Sequence, residues 1–240
     1  MNYAFLAYLG DIDLALFHAI NSFCGQNPIL DNVMSQLGSS QLKGLALMST
    51  FGVLWFQRTM TQDRQRETLL LVLLAVVISL VMARGLAAVL PFRLRPMFTS
   101  GIGYRTPFLK FGADLEDWSS FPSDNATFVF VLTTGFWLVS RWWGVLWTCF
   151  SIMAMISRVY FGFHYPGDVF AGALIGIGVT IAINNEFMHT RIAASIVAVE
   201  RRAPAIFYGL LFPLIYEIST IFGFTRGILH GILHLYVFGG

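Results

Sequence analysis

Thr68-Leu-Leu-Leu-Val-Leu-Leu-Ala-Val-Val-Ile-Ser-Leu-Val-Met-Ala-Arg84-Gly-Leu-Ala-Ala-Val-Leu90 decides the fold. Arg84 is its one charge, and a helix of this length, rising about 1.5 Å per residue, crosses a hydrocarbon core of about 30 Å. The whole chain agrees: of 240 residues, 56% are hydrophobic and 12% charged, with 23 phenylalanines. Soluble domains carry about 25% charged residues. A soluble globular protein is thereby excluded, and nothing in the composition points to nucleic acid.

Working outward, residues 44–57 form a shorter uncharged stretch, entered through Leu42 and a Lys43 read as snorkelling to the interface. Further apolar runs at 126–140, 142–160, 168–185 and 204–222 bring the expected count to six spans. Residues 3–24 mix apolar positions with Asp11, Asp13, His18 and Asn21, which predicts an amphipathic helix against the bilayer surface or the bundle. Pro28 to Leu37, capped by Asn27, predicts a second short helix before Gly38-Ser39-Ser40. The fold class expected is an all-α integral membrane protein: one domain over 1–240, with interfacial helices in 1–40, a six-helix core over 42–222 and an interfacial segment at 226–240. Met1 to Gly10 lacks a basic leader, so the first span is expected to direct insertion.

Cys24 and Cys149 stand far apart in apolar surroundings and predict no disulfide framework. His230 and His234, four residues apart, have no third ligand nearby and read as a surface pair, so no metal site is expected. The polar interval 97–121, with Arg105, Lys110, Asp114, Glu116 and Asp117, reads as an entry loop or lid.

The chemistry gathers in Ser157-Arg158-Val-Tyr-Phe-Gly-Phe-His164-Tyr-Pro-Gly-Asp168. A guanidinium presents a planar fork suited to a phosphoryl group, and a neutral imidazole can attack phosphorus when a carboxylate fixes its tautomer. A helix starting near Pro166 would slant Asp168 back toward His164. Two further segments accompany it, Arg95-Pro96 and Pro122-Ser123-Asp124-Asn125. The latter opens an apolar run, where Asp124 or Asn125 could equally cap a helix. Arg84 either snorkels or faces the polar site; helical spacing relative to Ala88 and Arg95 favours the site. Ser157 has a simpler role open to it, bonding back to its own helix.

These segments resemble the signatures of the type 2 phosphatidic acid phosphatase and vanadium haloperoxidase superfamily, in particular its bacterial branch acting on undecaprenyl diphosphate. The third signature matches closely. The first ends in Arg95-Pro96 but holds Ala88 where the family has lysine, so Arg84 or Arg93 is expected to supply the charge. The second has Asn125 where the family has the histidine that protonates the leaving oxygen. The resemblance implies dephosphorylation of a lipid phosphate or diphosphate, without metal or cofactor, through a phosphohistidine on His164 oriented by Asp168. Arg95, Arg158 and Ser123 would hold the phosphoryl oxygens, with Asp124, Arg84 and Arg93 beside them. Asparagine donates a hydrogen bond but no proton, so activity would be reduced and histidine at 125 would raise it. A lipid phosphotransferase using the same site, an impaired relative that binds a phosphorylated lipid, and a transporter are the rival readings. Arg58, Arg64, Arg66, Arg141, Arg191, Arg201 and Arg202 fall in connections on one side. By the positive-inside rule that side is cytoplasmic, and the site faces the exterior of a bacterial inner membrane.

Overall fold

The computed structural model describes residues 3–57, 61–109 and 115–223. Lys110, Asp114, Arg58 and the segment 226–240 with His230 and His234 lie outside the described residues. Among those described the chain is helical: α1 (Tyr3–Asn21), α2 (Pro28–Gly38), α3 (Ser40–Phe56), α4 (Gln62–Val89), α5 (Asp124–Val139), α6 (Arg141–Tyr160), α7 (Pro166–Ile183), α8 (Glu186–Met188), a π-helical turn His189–Ala193, α9 (Ala194–Arg202) and α10 (Pro204–Ser219).

The starts are set by local chemistry. Asn27 accepts from the Ile29 amide at 2.8 Å to cap α2, with Pro28 in its first turn. Ser123 accepts from Ala126 at 3.3 Å to cap α5, and Pro166 opens α7, where the Asp168 carboxylate turns back to the Tyr165 amide at 2.8 Å. Each of these side chains satisfies a backbone donor that the first helical turn leaves orphaned.

Helix α5 is the hub, packing on α4, α6 and α7. Phe128, Leu132, Phe136 and Trp147 are fully or almost fully buried in this core. Its polar groups are answered inside: Thr133 Oγ1 lies 2.7 Å from Ser151 Oγ, and Trp147 Nε1 donates to Thr50 Oγ1 at 3.0 Å. The outer surface is apolar instead, with Val81, Trp142, Phe170 and Leu210 each about 70% exposed. Such a surface belongs in lipid. Helices α4, α6 and α7 are long and apolar enough to cross a membrane; α5 and α10 are apolar but shorter. This is a membrane protein.

Helix α1 settles against the bundle, on α6 and α7. Phe17 is fully buried there, and Asn21 donates to the Tyr160 carbonyl at 2.8 Å. At one end of the bundle Arg64 meets Glu186 at 2.9 Å, Arg66 meets Glu200 at 3.1 Å and His189 meets Glu67 at 3.1 Å. The opposite end receives the close of α4 and α6 and the start of α3, α5 and α7, and there the signature segments converge.

Helix α7 approaches α5 backbone to backbone. A Cβ on Gly172 would strike the Ser123 carbonyl, and one on Gly176 the Thr127 carbonyl and the Val131 amide. Small residues four apart allow this close approach. Replacing Gly176 by leucine is therefore expected to cost about 1–3 kcal/mol by overpacking. Gly178, where a Cβ would meet nothing within 4 Å, is the control. Thermal unfolding in detergent should show a clear loss for Gly176→Leu and almost none for Gly178→Leu.

Candidate active site

His164 stands in the turn between α6 and α7, and Gly162 makes that turn possible. Its φ of +68° is left-handed, and its carbonyl accepts from the Met97 amide at 3.0 Å, binding the Arg95-Pro96 segment to the turn. The buried imidazole donates from Nδ1 to the Ser120 carbonyl at 2.9 Å, with Asp168 Oδ2 further off at 3.8 Å. A carbonyl can only accept, so Nδ1 carries the proton and Nε2 keeps its lone pair. The backbone thus sets the tautomer that the sequence assigned to Asp168, while the carboxylate adds its charge from the second position. Burial lowers the His164 pKa below the usual imidazole value; Asp168 opposes this, and Arg95 and Arg158 reinforce it.

The basic residues divide into two sets. Arg93 donates from Nη1 to Asp168 Oδ1 and from Nη2 to Asp13 Oδ2, both at 2.6 Å, with its guanidinium 4.0 Å from the centre of the Tyr165 ring. Arg84 pairs with Asp124 and lies over the Trp118 ring. The sequence predicts that one or the other supplies the missing lysine charge at phosphate, with Asp124 beside them. Ion pairing commits Arg84 and Arg93 to carboxylates, and a carboxylate at Asp124 would repel phosphate.

Arg95 is different. Its Nη1 donates to the Phe163 carbonyl at 2.9 Å and sits 3.3 Å from His164 Nε2, while Nε reaches the carbonyls of Leu115 and Trp118, each at 3.3 Å. Arg158 donates from Nη2 to Asn125 Oδ1 at 3.0 Å, and its buried Nε has no partner among the described residues. Lys43 is a correction: it is fully buried rather than snorkelling, and its ammonium donates to the same Asn125 oxygen. Among the described residues, none of Lys43, Arg95 and Arg158 forms an ion pair with a carboxylate. Buried cations bonded only to neutral oxygens leave an uncompensated charge that an anion would neutralise.

Ser123 is fully buried at the α5 cap, with its amide donating to the Asp168 carbonyl at 3.0 Å. Ser157 bonds back to the Ala154 carbonyl at 2.8 Å, the local role. Sequence reasoning missed Lys43, Asp13 and the Ser120 carbonyl. Asp13 holds Arg93 and accepts from the Gly167 amide at 2.7 Å, so α1 clamps the start of α7. A signal for Lys43 was present: alternation of the spans puts the start of the first on the same side as the signature segments. A backbone carbonyl such as that of Ser120 leaves no sequence signal.

A profile of the PAP2 superfamily matches residues 68–191. The chain belongs to the PAP2 superfamily. YbjG of Escherichia coli (strain K12), named as a candidate undecaprenyl-diphosphatase, is 29% identical over 170 residues, covering 70% of this chain and 79% of that protein. The bacitracin transport permease protein BcrC of Bacillus licheniformis is 28% identical over 175 residues, covering 70% of this chain and 76% of its own. In fold the chain is similar to the PAP2-type phosphatidylglycerolphosphate phosphatase of Bacillus subtilis, with a TM-score of 0.52 at 21% identity over 73% of this chain and 84% of that one. Aquifex aeolicus LpxE gives a TM-score of 0.52 at 23% identity, over 70% and 92%.

The lowered His164 pKa sets a pH expectation. The neutral imidazole persists as pH falls past its ordinary value of ~6.5, so if phosphate release needs neutral His164, the acid limb of kcat/KM should lie below that pH. An acid limb above it would contradict the burial of His164 as the cause.

Proposed function

We propose that this PAP2-superfamily lipid phosphatase removes the terminal phosphate from a polyprenyl diphosphate, undecaprenyl diphosphate being the best candidate, by way of a phosphohistidine on His164. The observation that supports the reading is the set of buried cations, Arg95 and Arg158 with Lys43 behind Asn125, which have no carboxylate partner among the described residues and surround a histidine whose unprotonated Nε2 faces Arg95 Nη1 at 3.3 Å.

In this reading Nε2 attacks phosphorus in line while the bridging P–O bond breaks. The positive charge developing on the imidazole is met by the Ser120 carbonyl and by Asp168. Arg95 and Arg158 hold the equatorial oxygens, and the amide groups of Asp124 and Asn125 in the first turn of α5 add donors. Water then attacks the phosphohistidine, the P–N bond breaks, and the water's proton leaves with inorganic phosphate. Arg93 and Asp13 keep Asp168 in place, and Arg84 with Asp124 flanks the site.

A groove of about 500 Å³ lined by Val77, Leu80, Val81, Ile221 and Phe222 opens beside Asp124. Its apolar walls suit an isoprenoid or acyl chain. Helices α3, α4, α5, α6, α7 and α10 would serve as the six spans. The arginine-rich end would then lie in the cytoplasm of a bacterial inner membrane, and the site would face outward.

Phosphate release by purified protein across polyprenyl diphosphates, phosphatidate, phosphatidylglycerol phosphate and lipid A tests the reading. The expected order puts the polyprenyl diphosphate first. His164→Ala should abolish release while leaving the thermal transition in place, because the covalent route needs Nε2. Release by the alanine variant at the parent rate would name the wrong nucleophile, and release from none of the substrates would favour a binding protein.

A further inference from the structure

The Asn125 amide is held by two cations at once, Lys43 from α3 and Arg158 from α6, both donating to its oxygen. An amide so held has one orientation. The oxygen is turned into the protein, and the NH2 group points away from both cations. We infer that Lys43 is a positioning residue for the reaction proposed above: with Arg158 it fixes Asn125 so that a rigid N–H donor, backed by buried positive charge, faces the leaving oxygen.

A fixed donor differs from an acid. As Nε2 of His164 bonds to phosphorus, the bridging oxygen departs with the electron pair of the broken P–O bond, and Asn125 gives it a hydrogen bond but no proton. A polyprenyl monophosphate can leave in this way as an anion, since its negative charge spreads over the phosphate oxygens. The polyprenyl alkoxide released from a monophosphate cannot do so readily. The pair Lys43 and Asn125 therefore selects diphosphates over monoesters of the same chain. The same geometry predicts that a histidine alone at 125 makes a poor acid. Set between Lys43 and Arg158, its protonated form is repelled by two neighbouring cations. The lone Asn125→His replacement is thus not expected to give the gain that the sequence suggested.

The inference rests on the phosphatase reading, and the experiment separates the two. Phosphate release is measured from a polyprenyl diphosphate and from the matching monophosphate, for the parent, Lys43→Met, Lys43→Arg, Asn125→His and the double variant Lys43→Met with Asn125→His. The parent should favour the diphosphate by at least about 10²-fold, the lower range of what general acid catalysis contributes. Lys43→Met should lower kcat on the diphosphate by about tenfold or more, with KM moving less, and should widen the preference, because the poorer leaving group loses more when the donor is no longer held. Lys43→Arg keeps a donor at this place and should recover most of the loss. Asn125→His should leave the preference wide, and only the double variant should narrow it.

A parent that releases phosphate from neither substrate overturns the phosphatase reading, and the inference falls with it. A parent active on the diphosphate while Lys43→Met depresses both substrates equally makes Lys43 merely structural and overturns the inference alone. A single Asn125→His variant that narrows the preference as far as the double variant does so too.

Discussion

The Asp168 carboxylate, fully buried at the start of α7, is the junction on which the site depends. It accepts from Arg93 at 2.6 Å and from the Tyr165 amide at 2.8 Å, and it lies 3.8 Å from His164 Nδ1. A carboxylate taken out of water to this depth is tolerable only when donors surround it. The consequences run outward. Asp168 takes only one arm of the Arg93 fork, and the other, Nη2, needs an acceptor of its own, which Asp13 supplies from α1. That requirement recruits a helix whose amphipathic pattern alone would also have fitted the bilayer surface.

The second constraint is the excess of positive charge that remains once Asp13, Asp124 and Asp168 are spent on Arg84 and Arg93. Lys43, Arg95 and Arg158 are left with carbonyl and amide oxygens as partners. Such an arrangement is unfavourable in an empty site and favourable when a phosphoryl group enters, since binding then replaces neutral acceptors by a multiply charged one. Stability and function are opposed at this end of the bundle. The apolar core around Phe136 and Trp147, and the close approach of Gly172 and Gly176 to α5, hold the framework against that strain.

Much of the fold was legible in the sequence because hydropathy sets helices in a membrane protein more directly than any tertiary contact does. Asn27 and Pro166 marked helix starts where they are found, whereas at α5 the cap is Ser123 and not Asp124 or Asn125, and the spacing from Arg158 to His164 to Asp168 brought those residues to one end. What stayed hidden depends on partners distant in the chain. Lys43 read as a snorkelling residue because its acceptor lies on α5; Arg84 and Arg93 read as phosphate ligands because Asp124 and Asp13 could not be seen to claim them. The tautomer of His164 is fixed by a main-chain oxygen, which every residue possesses and no side chain advertises. Asn125 was recognised as a departure from the family, but the buried Lys43 that holds its amide oxygen came into view only with the fold.

Trapping the intermediate tests the central claim most directly. The protein would be mixed with a polyprenyl diphosphate carrying 32P in its terminal phosphate, quenched within milliseconds in alkali, where phosphohistidine survives, and digested for mass spectrometry. The account predicts label on the peptide containing His164, attached at Nε2, and none in His164→Gln. Label on any other residue, or phosphate released at full rate with no labelled protein at any time point, would contradict it.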